Sequence, residues 1–247
     1  YSFNDIRIHQ GTSSELFNTT NAFGEGPRNN YMNLKGEFLF TDNTFKRAYS
    51  FDDEEKIAIV VDENFMYRII DQNGEYTSDK EWRFLNRAIS DGLLYGDRTG
   101  EEGYFNKNGE LCIEVYASTK ENFDMYSFLP AFNSGVVACV QEDNKKYIVP
   151  SFGSKTSSNW SLINSKGKIV VQGIEASYIS EFSLGIAYIY KNGKFGIINT
   201  KGEIIADCVY DRIKLPIHGY ARAKKDEIDY LISNTGKVYK CKDFLVQ

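Results

Sequence analysis

Short apolar and aromatic runs, separated by Gly-containing turns at near-constant spacing, fill most of this chain. The stretch from Phe182 to Ile205 shows the unit best. Ile186 to Tyr190 is a β-branched and aromatic run, Lys191-Asn192-Gly193-Lys194 is a tight-turn signal, and Phe195 to Ile198 is a second run. Asn199 to Gly202 then places a side-chain acceptor where a type I turn wants one and a Gly where the backbone goes left-handed. Glu203 to Ile205 begins a third strand.

The second turn recurs at Asn33 to Gly36, Asp71 to Gly74, Asn106 to Gly109, Asn164 to Gly167, Asn199 to Gly202 and Ser233 to Gly236, each followed by Glu or Lys. Its glycines stand 38, 35, 58, 35 and 34 residues apart, the spacing of a repeat architecture. An aromatic precedes each turn, at Tyr31, Tyr67, Tyr104, Trp160, Phe195 and Tyr230. All but Tyr230 lie five or seven residues before the Gly, on one face of an extended strand, and predict a shared core layer. Tyr230 lies six before it, which predicts a hairpin of different length. Upstream, Phe51, Ile89, Phe132, Phe182 and residues 215–217 lead into the units, and Gly92, Gly135, Gly185 and Gly219 open their first strands. A Cβ is expected to clash at those glycines. Glu54 stands at that place in another unit and predicts a looser turn there.

The long step between Gly109 and Gly167 holds insertions near 117–124 and 147–159. The second, with Pro150, Gly153 and its Ser and Thr residues, reads as a surface loop. Extra loops on a repetitive scaffold are where specificity is placed, so Tyr147, Phe152, Lys155 and Trp160 are the candidate partner-contacting residues, against a neutral insertion as the competing reading. Residues 1–30 read as a degenerate first unit or an edge cover, with a strand at 2–8 and loops at 11–14 and 24–30. Residues 237–246 supply a last strand. The expected fold is all-β, one domain over 1–247 built of about six three-stranded units of about 35 residues, with a β-propeller favoured over an open β-solenoid.

Residues 182–205, with Val209-Tyr210-Asp211, resemble the WG repeat family. The resemblance is carried by Phe182, Gly185-Ile186-Ala187, Gly193-Lys194-Phe195-Gly196, the Ile197-Ile198 pair, Asn199, and Lys201-Gly202-Glu203-Ile204-Ile205. It is fair over 132–138 with 160–170 and over 217–238, and weak before residue 100. Phe195-Gly196 alone keeps the aromatic-Gly pair; Trp160-Ser161, Tyr67-Arg68 and Tyr230-Leu231 keep the aromatic. The resemblance implies a β-rich repeat associated with binding and assembly, without catalytic residues to carry over.

Composition narrows this further. The chain is 42% hydrophobic and 15% aromatic with 4 Pro, a packed rather than a disordered protein. No apolar run approaches the length of a membrane helix, and the N-terminus lacks the basic-then-apolar pattern of a signal peptide. The chain begins at Tyr1, so exported and cytoplasmic locations both stay open. The net charge of −5 is uneven: residues 1–124 hold 13 Lys and Arg against 23 Asp and Glu, and residues 125–247 hold 16 against 11. That basic half does not interleave charge with aromatics as nucleic-acid binders do, which argues against nucleic acid.

Candidate chemistry is sparse. Cys112, Cys139, Cys208 and Cys241 show no metal-ligand spacing and read as buried free thiols, with one disulfide as the alternative in an exported protein. His9 and His218 belong to no ligand or catalytic motif, and the acidic run Asp52 to Glu55 reads as a solvated loop rather than a calcium site. No catalytic residue, cofactor or metal is expected. The sequence reads as a non-enzymatic scaffold for protein or peptide partners; the alternative is a carbohydrate-binding or carbohydrate-active protein whose site is built from loops and exposed aromatics.

Overall fold

The computed structural model describes residues 6–9, 16–21, 30–33, 38–40, 45–86, 89–117, 132–142, 146–149, 159–217 and 219–241. These fall into two compact units, 1–112 and 113–247. No helix among the described residues is long and apolar enough to cross a membrane.

In the first unit β1 (Ile6–His9), β2 (Leu16–Asn21), β3 (Asn30–Asn33) and β4 (Phe38–Leu39) form an antiparallel meander. Residues 1–30 therefore contribute most of a sheet, and β2 is a strand that their polar sequence does not announce. Then come β5 (Arg47–Ala48), β6 (Ile57–Val61) and β7 (Tyr67–Asp71), followed by β8 (Phe84–Leu85), β9 (Leu93–Arg98) and β10 (Glu101–Asn106). The strand β11 (Leu111–Ala117) leads into the second unit, which holds β12 (Val136–Glu142), β13 (Lys146–Val149), β14 (Asn159–Asn164) and β15 (Ile169–Glu175). Two meanders complete it: β16 (Tyr178–Ile179), β17 (Ile186–Lys191), β18 (Lys194–Asn199), β19 (Ile204–Tyr210), and β20 (Arg212–Ile217), β21 (Tyr220–Lys225), β22 (Ile228–Ser233), β23 (Val238–Lys240).

The protein is all-β, and three of its sheets, β1–β4, β16–β19 and β20–β23, have four strands rather than the three expected, whereas β5–β7 has three. The additional strand is the short one ahead of the landmark aromatic: β16 has two residues, and Tyr178 and Ile179 pair with Tyr190 and Ile189. Two residues carry no alternation to read. A four-stranded antiparallel meander is the sheet from which propeller blades are made.

Both faces of the middle sheets are covered, so their strands read as continuous apolar runs. All five residues of β6 are buried. Ala58 and Val60 pack with Tyr31, Phe45 and Phe51, whereas Ile57 and Ile59 pack with Trp82, Leu94 and Phe105 on the other face. In β17, Ala187 and Ile189 join Trp160 and Phe182, and Ile186 joins Ile213, Ala221 and Ile232. The aromatics ahead of the turns are thus distributed over separate intersheet clusters instead of one shared layer: Tyr31, Tyr104 and Trp160 are fully buried, while Tyr67, Phe195 and Tyr230 are half-buried.

Five of the six recurring turns form as expected, and Gly36 of the other lies outside the described residues. Gly74, Gly109, Gly167, Gly202 and Gly236 all have φ between +71° and +83°, and each donates its N–H to the carbonyl three residues back. Asn199 Oδ1 accepts from the N–H groups of Lys201 and Glu203 at 3.0 and 2.9 Å, and its amide donates to the Glu203 carboxylate at 2.7 Å. Asn106 and Glu110 repeat this arrangement, which explains the Glu after the Gly. Steric crowding lies here rather than at the strand-opening Gly185 and Gly219. A Cβ on Gly202 would meet Val171 at 2.6 Å, and one on Gly236 the Ile205 carbonyl at 2.5 Å, so each of these turns is pressed onto the preceding sheet.

The space around Gly185 and Gly219 is open; their need for Gly is the φ of +84°. Leu184-Gly185 is a two-residue left-handed turn between Ser183 and Ile186, and Asp91-Gly92 is its counterpart between Ser90 and Leu93. At Glu54 the loop is longer, closed by the Asp52 N–H to Ile57 carbonyl bond, with Lys56 left-handed and the Asp52 carboxylate capping the N–H groups of Glu54 and Glu55.

Tyr230 departs from expectation in an instructive way. Ile186 pairs with Asn199 and Lys191 with Lys194; Tyr220 pairs with Ser233 and Lys225 with Ile228. The two hairpins have the same length. At their 34-residue offset the counterpart of Phe195 is Asp229, and Tyr230 stands in the place of Gly196.

Candidate functional site

The insertion of the second unit begins as a strand. Tyr147 and Ile148 in β13 pair antiparallel with Gln141 and Val140 of β12, and β13 also runs parallel to β11, with Val115 opposite Tyr147. In the other sheets the place beside the corresponding strand is taken by a short strand from upstream, such as β5 or β16. Here the insertion fills it, so Tyr147 to Val149 belong to the sheet and not to the loop expected.

Tyr147 is half-buried, and its hydroxyl donates to the Gly167 carbonyl at 3.3 Å, tying the start of the insertion to the turn after β14. Trp160 lies in the core with no exposed surface. Its indole N–H donates to the Ala176 carbonyl at 3.0 Å and its ring meets Tyr178 edge-on at 5.9 Å, so it offers a partner nothing. Phe152 and Lys155 lie outside the described residues, as do His218 and residues 118–124 of the other insertion. His9 sits in β1.

The polar groups that the fold buries have structural partners. Glu102, which occupies the place of Trp160 relative to its turn, is 6% exposed and accepts a hydrogen bond from the Tyr95 hydroxyl at 2.6 Å. Burial drives the Tyr31 phenol far above its ordinary range, although its bond to the Tyr49 carbonyl opposes this. Arg68 lies over the Tyr76 ring at 4.1 Å, with Asp62 and Glu81 at 3.8 and 3.7 Å. Among the described residues no group of three His, Cys, Asp or Glu side chains is placed to hold a metal ion.

All four cysteines are free. Cys139 is buried as expected, Cys112 is exposed, and Cys208 and Cys241 are intermediate. Burial pushes the Cys139 thiol up to about 12. N-ethylmaleimide is therefore expected to label Cys112 in the native protein and Cys139 only after denaturation, as read by peptide mass spectrometry. Equal native labelling of the two would contradict the burial of β12.

One arrangement in the second unit recurs across strands. Tyr178, Tyr190, Phe195 and Tyr210 stand opposite one another in register, one from each strand of the β16–β19 sheet, and Tyr210 continues to Tyr230 of the next sheet at 6.0 Å. Phe195 of this row directly precedes Gly196, the aromatic-Gly pair of the repeat. Residues 160–195 and 195–227 both match the family profile described as "WG containing repeat". The segment 160–227 is a pair of WG repeats. The boundary between the matches, at Phe195, divides β17 from most of β18, so one WG repeat as matched runs from the second half of one sheet into the first half of the next.

No curated protein sequence matches the chain. Among solved structures it is similar to a eukaryotic initiation factor at 10% identity, covering 87% of this chain and 58% of that one with a TM-score of 0.47. It is also similar to BamB from Moraxella catarrhalis at 12% identity, covering 92% and 66% with a TM-score of 0.37, and to the WD40 β-propeller domain of Doa1 at 10% identity, covering 94% and 83% with a TM-score of 0.35. The chain thus spans less than two thirds of the length of the first two. The likeness is one of backbone alone.

Proposed function

We propose that this chain is a non-enzymatic scaffold whose WG repeats present surfaces to protein or peptide partners. The observation that supports this reading is the use to which the repeated residues are put. Gly202 and Asn199 make a turn, Phe182 and Ile189 fill a core, and Gly185 sets a backbone angle. The recurring landmarks are thus occupied by folding, which leaves the variable outward positions and the insertion to carry recognition.

Affinity capture on the immobilised full chain, followed by rebinding of each captured protein as a purified component, tests the reading. Saturable rebinding of at least one component is the expected result; failure of every purified component to rebind overturns it. Replacing Phe152 and Lys155 with Ala is expected to weaken that rebinding while leaving the thermal midpoint unchanged, and unaltered affinity would remove the insertion from the contact.

A further inference from the structure

The two final sheets share one register, 34 residues apart, which allows their faces to be compared position by position. On the face of β17 and β18 that meets the last sheet, Ile186, Tyr188, Phe195 and Ile197 pack into an apolar cluster. The corresponding residues of β21 and β22 are Tyr220, Arg222, Asp229 and Leu231. They face outward: Tyr220 is 41% exposed, and Arg222 and Asp229 are exposed too.

The edge strand β20 adds Arg212 and Lys214, both exposed, while Ile213 between them points into the core. Arg212 is directly opposite Lys224, and Lys214 directly opposite Arg222. Two adjacent like-charge pairs across strands are unfavourable in an isolated sheet. Lys224 has Glu227 at 2.6 Å, but Arg212, Lys214 and Arg222 have no ion pair among the described residues. Solubility is met by mixed charges and does not call for cations set against cations.

Beside this cluster the face turns apolar. Leu231 lies between Arg222 and Tyr239 in register. The Tyr239 ring is already engaged, by the Lys237 ammonium at 5.0 Å and by Tyr220 in an edge contact at 6.1 Å. Single-stranded nucleic acid needs ring faces free for stacking; carboxylates need only the cations, and Leu231 offers an adjoining seat for an aliphatic side chain.

We propose that the outward face of β20–β23 docks an acidic peptide segment of a protein partner, its carboxylates held by Arg212, Lys214 and Arg222 and an apolar side chain seated on Leu231. This rests on the scaffold reading and assigns it a surface and a partner chemistry.

The test uses the full chain and a fluorescein-labelled dodecapeptide of alternating glutamate and leucine, followed by fluorescence anisotropy. Binding is expected at low salt and is expected to weaken by about tenfold on raising the salt to about 0.3 M, as exposed charges are screened. Lys214→Glu places a carboxylate opposite Arg222, so it is expected to weaken the peptide by at least about tenfold while holding or raising the thermal midpoint. Absence of peptide binding at low salt, unchanged affinity in Lys214→Glu, or tighter binding of a single-stranded oligonucleotide of equal charge would each overturn the proposal. Should a purified partner still rebind Lys214→Glu as it does the parent chain, the scaffold reading stands and this surface is not its site.

Discussion

Trp160→Ala is expected to destabilise the second unit by about 3–5 kcal/mol, the range for removing a fully buried large aromatic. The loss has three sources. The ring fills space among Leu162, Phe182 and Ile189, and its removal leaves a cavity that two opposed sheets cannot collapse to close. The edge contact with Tyr178 goes, and the Ala176 carbonyl loses the indole donor. Urea unfolding of the full chain should show a lower midpoint at unchanged slope, and hydrogen exchange should show β12, β14 and β17 losing protection while β6 and β7 of the first unit keep theirs. Trp160→Phe should recover part of the loss, since it restores a ring without the N–H. A variant that folds as stably as the parent but fails to bind a partner would mean that Trp160 belongs to the surface, against its burial.

What could be read in the sequence was whatever rests on local chemistry. The Asn199 to Gly202 turn is specified within five residues, by one side-chain acceptor and one left-handed Gly, and it was legible for that reason. The strand β16 was not, because two residues hold no period and only their pairing with β17 makes them a strand. The same holds for β13, whose Tyr147-Ile148-Val149 gains its identity from β11 and β12 on either side. Tyr230 misled because an aromatic at nearly the right distance from the turn looks like its neighbours; only the pairing of Tyr220 with Ser233 shows that it has taken the place of a glycine. The cations of the last sheet are invisible for a related reason. Arg212, Lys214, Arg222 and Lys224 are scattered among apolar and acidic residues along the chain, and cross-strand register is what gathers them.

Gly196→Ala is expected to cost about 1–3 kcal/mol, the usual range for forcing one methyl group into filled space. Its backbone has no need of a left-handed angle. The constraint is proximity: a Cβ there would stand 2.6 Å from the Ala206 carbonyl oxygen, 2.9 Å from the Cys208 sulfur and 3.0 Å from the Asp207 carbonyl carbon. Those atoms are close because β19 bulges, with Phe195 opposite Tyr210 but Ile197 already opposite Ala206, two residues beyond regular register. At the equivalent place Ser161 faces a smaller bulge, one residue beyond register between the Trp160–Ile174 and Leu162–Val171 pairs. At Tyr230 the pairs run regularly, Tyr230 with Lys240 and Leu231 with Tyr239. The bulge thus shrinks from two residues to one to none as the side chain grows from Gly to Ser to Tyr, which assigns the glycine of the aromatic-Gly pair to strand geometry and not to ligand contact. Gly185→Ala supplies the contrast, for it meets open space and should cost about 1–2 kcal/mol through its positive φ alone. Amide exchange separates the two causes: Gly196→Ala should loosen residues 206–210 of β19, whereas Gly185→Ala should act on its own turn, and a Gly196→Ala protein with β19 unchanged would show that the bulge does not depend on the missing side chain.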